Sequence, residues 1–517
     1  MSLLRAIATI GSFTMLSRIT GFARDILIAG LVGAGTVADA FFVAFKFPNL
    51  FRRLFAEGAF SAAFVPLFAG LHEKEGPEAA RRFAEQAMAV LAWTLLFLVA
   101  AMEVAMPWAM HLFAPGFAAV PGKMELTTEL TRITFPYLLL VSLVSLQGGV
   151  LNSLGRFAAA AAAPVILNLA LIAALLGLTP LVPSPGHALA WGTSLAGVIQ
   201  FLWLLAALRR EGVSLRPVWP RLTAPVRLLM RRIVPGAVGA GVYQINLLVD
   251  TVIASLVAEG AVSFLYYADR INQLPLGVVG IAVGTALLPA LSRDLRGGRT
   301  EAAMHSQNRA LEFALLLTLP AAAAMMALAH PIVSVLFERG RFGGAEAAAT
   351  AAALIAFSSG LPAYVLIKVL APAFFAREDT ATPVKVAALA LVANVALNLL
   401  LMKPLGHVGI ALATALSAWI NCAVLAGLLR RRGGLVLDAR LRRRLPRILL
   451  ASVVLAGLLA AADAGLAPLW ADPSLAVRAG LLAALVVGGL LAFALLAQIT
   501  GAATLGELKR AARRGAA

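Results

Sequence analysis

Arg18, Arg24, Asp25, Asp39, Arg52 and Arg53 stand among long apolar runs at the start of the chain. An ionised side chain at hydrocarbon depth is costly unless it faces water or protein, so such positions mark a route or a binding site for something charged. Positive groups prevail: Arg18, Arg24, Lys46, Arg52 and Arg53 stand against Asp25, Asp39 and Glu57. The planar fork of arginine offers two parallel donors to phosphate oxygens, and a diphosphate spreads its oxygens to meet several forks. A cationic chamber inside hydrocarbon therefore selects an anionic headgroup. The competing account is that some of these side chains sit at helix ends and snorkel to the lipid headgroups, which applies best to Arg52 and Arg53.

Spacing divides the work further. Arg18 and Asp25 are seven residues apart and share a helix face, with Gly21 between them admitting a close neighbour. Arg24 and Asp25 are adjacent and are expected to point apart from an unbroken helix. A break at Thr20–Gly21 would free backbone groups for an anion; an ordinary small-residue helix contact is the alternative. Asn49, Arg53 and Glu57 recur at four-residue intervals, so Arg53 is expected to pair with Glu57 and to leave Arg52 on another face with the stronger claim on a ligand. Pro48 raises the prospect of a kink that would cost Lys46 its helical partner. Later in the chain, Asp269 beside Arg270 echoes Arg24 beside Asp25 in reversed order. Lys368, inside the apolar stretch 350–376, is either a snorkelling cation or one that faces a cavity.

The elements that must position these groups are membrane helices. Of 517 residues 61% are hydrophobic and 13% charged, more apolar surface than a soluble domain can cover. Apolar stretches recur near 88–112, 133–154, 158–178, 187–208, 233–258, 275–291, 311–337, 350–376, 384–402, 408–429, 446–462 and 478–500. Two charge-interrupted segments within 3–68 precede them. This predicts an all-α polytopic membrane protein of about fourteen helices, at roughly 20 residues per span. Abundant Ala, Leu and Gly without β-branched alternation argues against a transmembrane barrel. The first apolar run continues through Arg18 and Arg24, so it is expected to be retained rather than cleaved. The single cysteine, Cys422, excludes an intrachain disulfide and is expected to fill core space.

Arginines cluster at 209–232, 430–447 and in the tail after 504, whereas the stretches 179–186, 259–262 and 463–476 carry no Lys or Arg. The bias places both termini in the cytoplasm. The net charge of +18 is then a collar against anionic membrane lipids, a more economical account than nucleic-acid binding. The chain also resembles itself at an offset of about 223 residues: EGAFSAAFVPLF at 57–68 overlays 279–291, HLFAPGF at 111–117 overlays 335–342, FPYLL at 135–139 overlays 361–365, and GHALAWGTSLAG at 186–197 overlays 406–418. An even number of helices per unit makes the two copies parallel. The expected division is an N-terminal six-helix lobe over 1–210, a basic connector over 211–232, a second six-helix lobe over 233–430, a further helix pair over 431–503 and a basic tail over 504–517.

Signals of catalysis are missing. There is no GK[ST] phosphate loop and no HExxH, and the six histidines are scattered, so a transporter without covalent chemistry or cofactor is expected, with any coupling metal unspecified. The energy is then expected to come from the membrane potential or a cation gradient.

SRITGFARDILIAGLVGAGTVADAFFVAFKFPNLFRRLFAEGAFSAAFVPLF at 17–68 resembles the signature region of the MurJ/MviN lipid II flippases, within the multidrug/oligosaccharidyl-lipid/polysaccharide exporter superfamily. YYADRINQLPLGVVGIAVGTALLPALSR at 266–293 is similar to the family's second such stretch. The resemblance implies transfer of the undecaprenyl-diphosphate-linked disaccharide pentapeptide to the outer leaflet of the bacterial inner membrane, in company with the cell-wall synthesis machinery. It implies substrate-binding roles for Arg18, Arg24, Asp25, Asp39, Arg52 and Arg270. Asn49 joins them, with Arg53, Glu57 and Asp269 as a supporting charge network. It also implies a central cavity for the headgroup and a groove for the polyprenyl tail beside the last two helices. Alternatives are an exporter of another polyprenyl-diphosphate-linked glycan and a cation-coupled drug exporter, although a drug site favours carboxylates and aromatics over arginines.

Overall fold

The computed structural model describes residues 3–55, 59–470, 472 and 474–503; side chains are described for these except 3–7, 53–55, 59, 61–62, 234–243, 245–247 and 278–286. Every named element among the described residues is helical. They run α1 Leu3–Val32, α2 Thr36–Phe55, α3 Ala59–Glu75, α4 Pro77–Phe113, α5 Lys123–Thr134, α6 Tyr137–Ser153, α7 Ala158–Gly177, α8 Pro185–Arg210 and α9 Ala224–Ser255. There follow α10 Ala261–Arg296, α11 Thr300–Ala327, α12 Ala329–Phe337, α13 Gly344–Ser359, α14 Leu361–Phe375, α15 Ala381–Arg431, α16 Ala439–Gly465, α17 Ala467–Trp470 and α18 Leu475–Thr500. Nine helical stretches among the described residues are long and apolar enough to cross a membrane. One of them, α15, has two arms joined at Gly406, whose φ of 57° breaks the helix. With the arms of α15 counted separately and α1, α2, α9 and α10 added, each of 20 residues or more, the described helices give the fourteen spans expected of segments this long.

Two compact units form: residues 1–263 with the turn Arg339–Phe342, and residues 264–338 with 343–517. The division falls at Ser263 rather than at the basic connector 211–232. Helix α9, expected to open the second lobe, packs on α2, α3 and α4 of the first unit. The reason is close backbone approach. A Cβ at Gly116 would collide with the Ser255 carbonyl at the end of α9, and Gly116 N donates to Ser255 Oγ at 3.3 Å.

The first unit is built round aromatic stacking, with Phe64 packed on Phe60, Phe68 and Phe83 at centroid separations of 5.4 to 5.8 Å. Pro48 lies inside α2, which nonetheless stays continuous. Proline has no N–H for the carbonyl four residues earlier, that of Ala44. Thr134 Oγ1 supplies the missing donor at 2.9 Å, so the orphan belongs to Ala44 rather than Lys46 and is satisfied from α5.

The second unit repeats one irregularity of the first. The span α5–α6 is interrupted at Phe135–Pro136, and α13–α14 is interrupted at Gly360, one residue before the Leu361–Pro362 pair that the internal repeat aligns with it. The apolar stretch 311–337, expected as one helix, divides into α11 and α12 at Leu328. At the foot of α16, Asp438 caps the helix through Leu441 N at 2.7 Å. Buried Glu312 of α11 accepts from Arg444 at 2.5 Å, from Arg440 at 3.1 Å and from Arg309. These bonds tie the final helix pair to α11, and Arg447 reaches the Gly501 carbonyl that closes α18. The basic tail 504–517 lies outside the described residues.

Candidate anion site

Arg24 and Asp25 are 4% and 1% exposed, and they face one another. Arg24 Nε and Nη2 both donate to Asp25 Oδ1, at 3.0 and 2.6 Å. The expectation that neighbouring side chains must diverge is thereby overturned: arginine is long enough to fold its guanidinium back across the helix surface onto the next residue. No break occurs at Thr20–Gly21, since α1 is continuous from Leu3 to Val32. Gly21 instead admits a neighbour, for a Cβ there would lie 3.2 Å from Asn168 Nδ2 of α7. Asn168 Oδ1 accepts from Arg24 Nη1 at 2.9 Å. The other side of the guanidinium lies over the Phe45 ring, 5.7 Å from its centroid.

Phe45 connects this pair to the second cluster. Asn49 Nδ2 donates to the Phe45 carbonyl at 2.7 Å, and Asn49 Oδ1 accepts from Arg52 Nε at 3.0 Å. Arg52 is seven residues beyond Phe45, so it lies on the same face of α2, about 10 Å further along the axis. Both arginines thus present forks whose orientation is fixed by an amide oxygen. The proposed Arg53–Glu57 pair cannot be placed: Glu57 and the Arg53 side chain lie outside the described residues. Arg18 is half-buried on α1.

Asp39 has a different setting. It is 0% exposed, and its carboxylate accepts from Lys123 Nζ at 2.7 Å, Gly260 N at 2.8 Å, Ser263 N at 2.9 Å and Ser263 Oγ at 2.6 Å. A carboxylate here caps the N-terminus of α10, where backbone N–H groups lack helical partners and the helix dipole favours negative charge. Lys123, 1% exposed, balances it and lies 4.3 Å from the Phe117 ring centroid. Its partners are therefore a lysine, a serine hydroxyl and a helix end. Alongside, Thr36 donates its hydroxyl and its N–H to Glu259 in the α9–α10 turn, which holds that carboxyl below the usual range against the opposing effect of burial.

In the second unit, Arg270 lies over the Tyr266 ring at 4.9 Å, and its Nη2 donates to the Tyr266 hydroxyl at 2.9 Å. Asp269 accepts from Gln273. Lys368 is exposed. Among the described residues, no group of three or more His, Cys, Asp or Glu side chains could hold a metal ion.

Residues 28–479 match the family described as "Lipid II flippase MurJ". A protein of Rhizobium meliloti (strain 1021) named "Probable lipid II flippase MurJ" is 46% identical over 523 residues, covering 100% of this chain and 97% of that protein. The chain belongs to the MurJ lipid II flippase family. A Burkholderia cenocepacia protein named "Lipid II flippase MurJ" is 38% identical over 467 residues, with 89% of this chain and 90% of that one covered. A solved structure titled "Lipid II flippase MurJ, inward closed conformation" superposes with a TM-score of 0.79 at 25% identity, covering 95% of this chain and 98% of that chain. A multidrug resistance MATE family transporter of the MOP superfamily, in an inward-facing conformation, matches with a TM-score of 0.68 at 15% identity over 83% of this chain and 98% of that one. That likeness is one of fold alone.

Two buried residues of these clusters, Asn168 and Lys123, were not among the expected ones. Asn168 is the one polar side chain in α7, and a single amide in a membrane helix is itself a signal of a buried partner. Lys123 gave no such signal, because it follows Pro121–Gly122 and reads as a loop charge; only the fold brings it to Asp39.

Proposed function

We propose that this MurJ-family protein carries lipid II from the cytoplasmic to the outer leaflet of the bacterial cytoplasmic membrane by alternating access, without covalent chemistry. The observation that carries the reading is a guanidinium buried in a membrane helix and held by a carboxylate on the next residue. A buried arginine needs an anionic partner, because the cost of leaving it uncompensated is several kcal/mol, on the order of 3–5. Asp25 fills that role. A diphosphate oxygen pair matches the same Nε–Nη2 fork, so the headgroup replaces Asp25 without leaving Arg24 unpaired at any stage. When the headgroup departs, Asp25 takes the fork back. A site with its own competing anion binds without trapping, which transport demands. Arg52, set by Asn49, takes further oxygens of the diphosphate; in the second unit Arg270, held on Tyr266, is a separate candidate for contact with an anion.

The same reading puts both termini in the cytoplasm, with the arginine-rich segments against anionic lipid. Movement is driven by the membrane potential, a cation gradient or both; one charge crossing the field is worth about 2.3 kcal/mol per 100 mV. The test is leaflet-resolved transfer of fluorescent lipid II in vesicles holding the purified protein, with sodium, proton and voltage gradients imposed one at a time. Transfer that rises with at least one gradient and outpaces another polyprenyl-diphosphate glycan supports the reading. No transfer under any gradient, or equal handling of the two lipids, contradicts it.

A further inference from the structure

We infer that Asn168 is a positioning residue for Arg24: it fixes the plane of the guanidinium from α7, and so sets the affinity for the diphosphate. The inference rests on the reading of Arg24 as an anion-binding group and goes beyond it by naming what aims that group. An asparagine can present either its oxygen or its NH₂ to a neighbour. Here the choice is dictated: Nδ2 donates to the Ser17 carbonyl at 3.0 Å and to Thr20 Oγ1 at 3.3 Å, which leaves Oδ1 toward Arg24 Nη1 at 2.9 Å. The Thr20 hydroxyl is itself spent on the Leu16 carbonyl at 2.9 Å, so it accepts from the amide rather than donating to it. Asn168 is 6% exposed, and Gly21 makes room for it. Asp25 holds one edge of the guanidinium and Asn168 the terminal nitrogen opposite, so when a diphosphate displaces Asp25, Asn168 still fixes the plane. An ordered fork meets phosphate oxygens at no further rotational cost.

Three variants separate positioning from packing. Asn168→Asp keeps the shape but puts a second carboxylate on Arg24, so an incoming diphosphate competes with two anions. Asn168→Leu keeps the branching of the side chain and removes its hydrogen-bonding groups. Gly21→Ala leaves every polar group in place and presses on Nδ2 at 3.2 Å. Equilibrium binding of fluorescent lipid II to the full-length protein in nanodiscs is expected to weaken roughly tenfold in the Asp and Leu variants, the order that a hydrogen bond to a charged group contributes, and by a smaller factor for Gly21→Ala. The lipid concentration that gives half-maximal transfer is expected to rise by the same factor. In an Arg24→Ala background Asn168→Leu should not weaken the residual binding further. Unchanged binding in both Asn168 variants, a fall in maximal rate alone, or an equal loss in the Arg24→Ala background would each assign Asn168 to helix packing and overturn the inference. Should Asn168→Leu fail to insert, the isosteric Asp variant decides. Arg24→Ala measured alone separates the two claims: full binding there removes the anion site itself, whereas weakened binding there with normal Asn168 variants removes only the positioning role.

Discussion

A charge buried in a membrane helix has to be answered by a partner, and this chain answers two of them in different ways. Arg24 meets a carboxylate from its own helix, which on the proposed reading the headgroup replaces, whereas Asp39 meets a lysine, two backbone N–H groups and a hydroxyl. Removing one member of such a buried pair strands the other, so Asp39→Asn and Lys123→Met are each expected to cost about 3–5 kcal/mol, with the double variant costing less than the two added together. Unfolding of the purified protein in detergent, followed by helical signal against denaturant, measures this. The type of Asp39 announced its expense in the sequence but not its use, because its partners lie 84 and more residues away. Outside the membrane, Asp379 in the α14–α15 turn is held down to about 2 by the Thr382 hydroxyl and N–H and by Arg432. Its ordinary value is 3.8, so whatever stability it lends is complete above about pH 4 and is lost as pH falls towards 2. Asp379→Asn should therefore narrow the difference in melting temperature between pH 6 and pH 3; an unchanged difference would show that other carboxylates carry the acid sensitivity.

At the scale of elements, the span pattern was legible and its interruptions were legible only in part. Hydropathy located α4, α7, α8, α16 and α18 within a few residues or one polar extension, because their apolar runs are continuous. It shortened α10, expected over 275–291 and observed over Ala261–Arg296, because Asp269, Arg270 and the polar pair Asn272–Gln273 read as an end rather than as the interior of a helix. It joined α11 to α12 because a turn made of Leu328 carries no polar signal. Glycines mark the places where two backbones must touch. Gly340 has φ 57°, and a Cβ there would strike the carbonyl of Gly30, to which Arg341 N donates at 2.9 Å in closing α1. Gly340→Ala combines left-handed strain with that collision, and a loss of about 1–3 kcal/mol is expected for the strain alone. Hydrogen exchange at residues 28–33 should accelerate in this variant while α7 exchanges as before; equal protection at the α1 terminus would show that the turn yields without loss.

For the molecule as a whole, the sequence supplied the helical class, the repeat and the family, while the boundary between units moved to Ser263 because α9 is bound to its predecessors by contacts that composition does not encode. The repeat is carried less by similar side chains than by matching breaks, at Phe135–Pro136 and at Gly360. Arginines in this hydrophobic chain are held by neutral or anionic neighbours: Asp25 and Asn168 for Arg24, Asn49 for Arg52, Tyr266 for Arg270. The most direct measurement is leaflet-resolved transfer of fluorescent lipid II by Arg24→Ala, Arg52→Ala and Arg270→Ala proteins, each first shown to be inserted and helical. Transfer is expected to fall to the level of protein-free vesicles in each. Transfer by all three at the rate of the unaltered protein would contradict it.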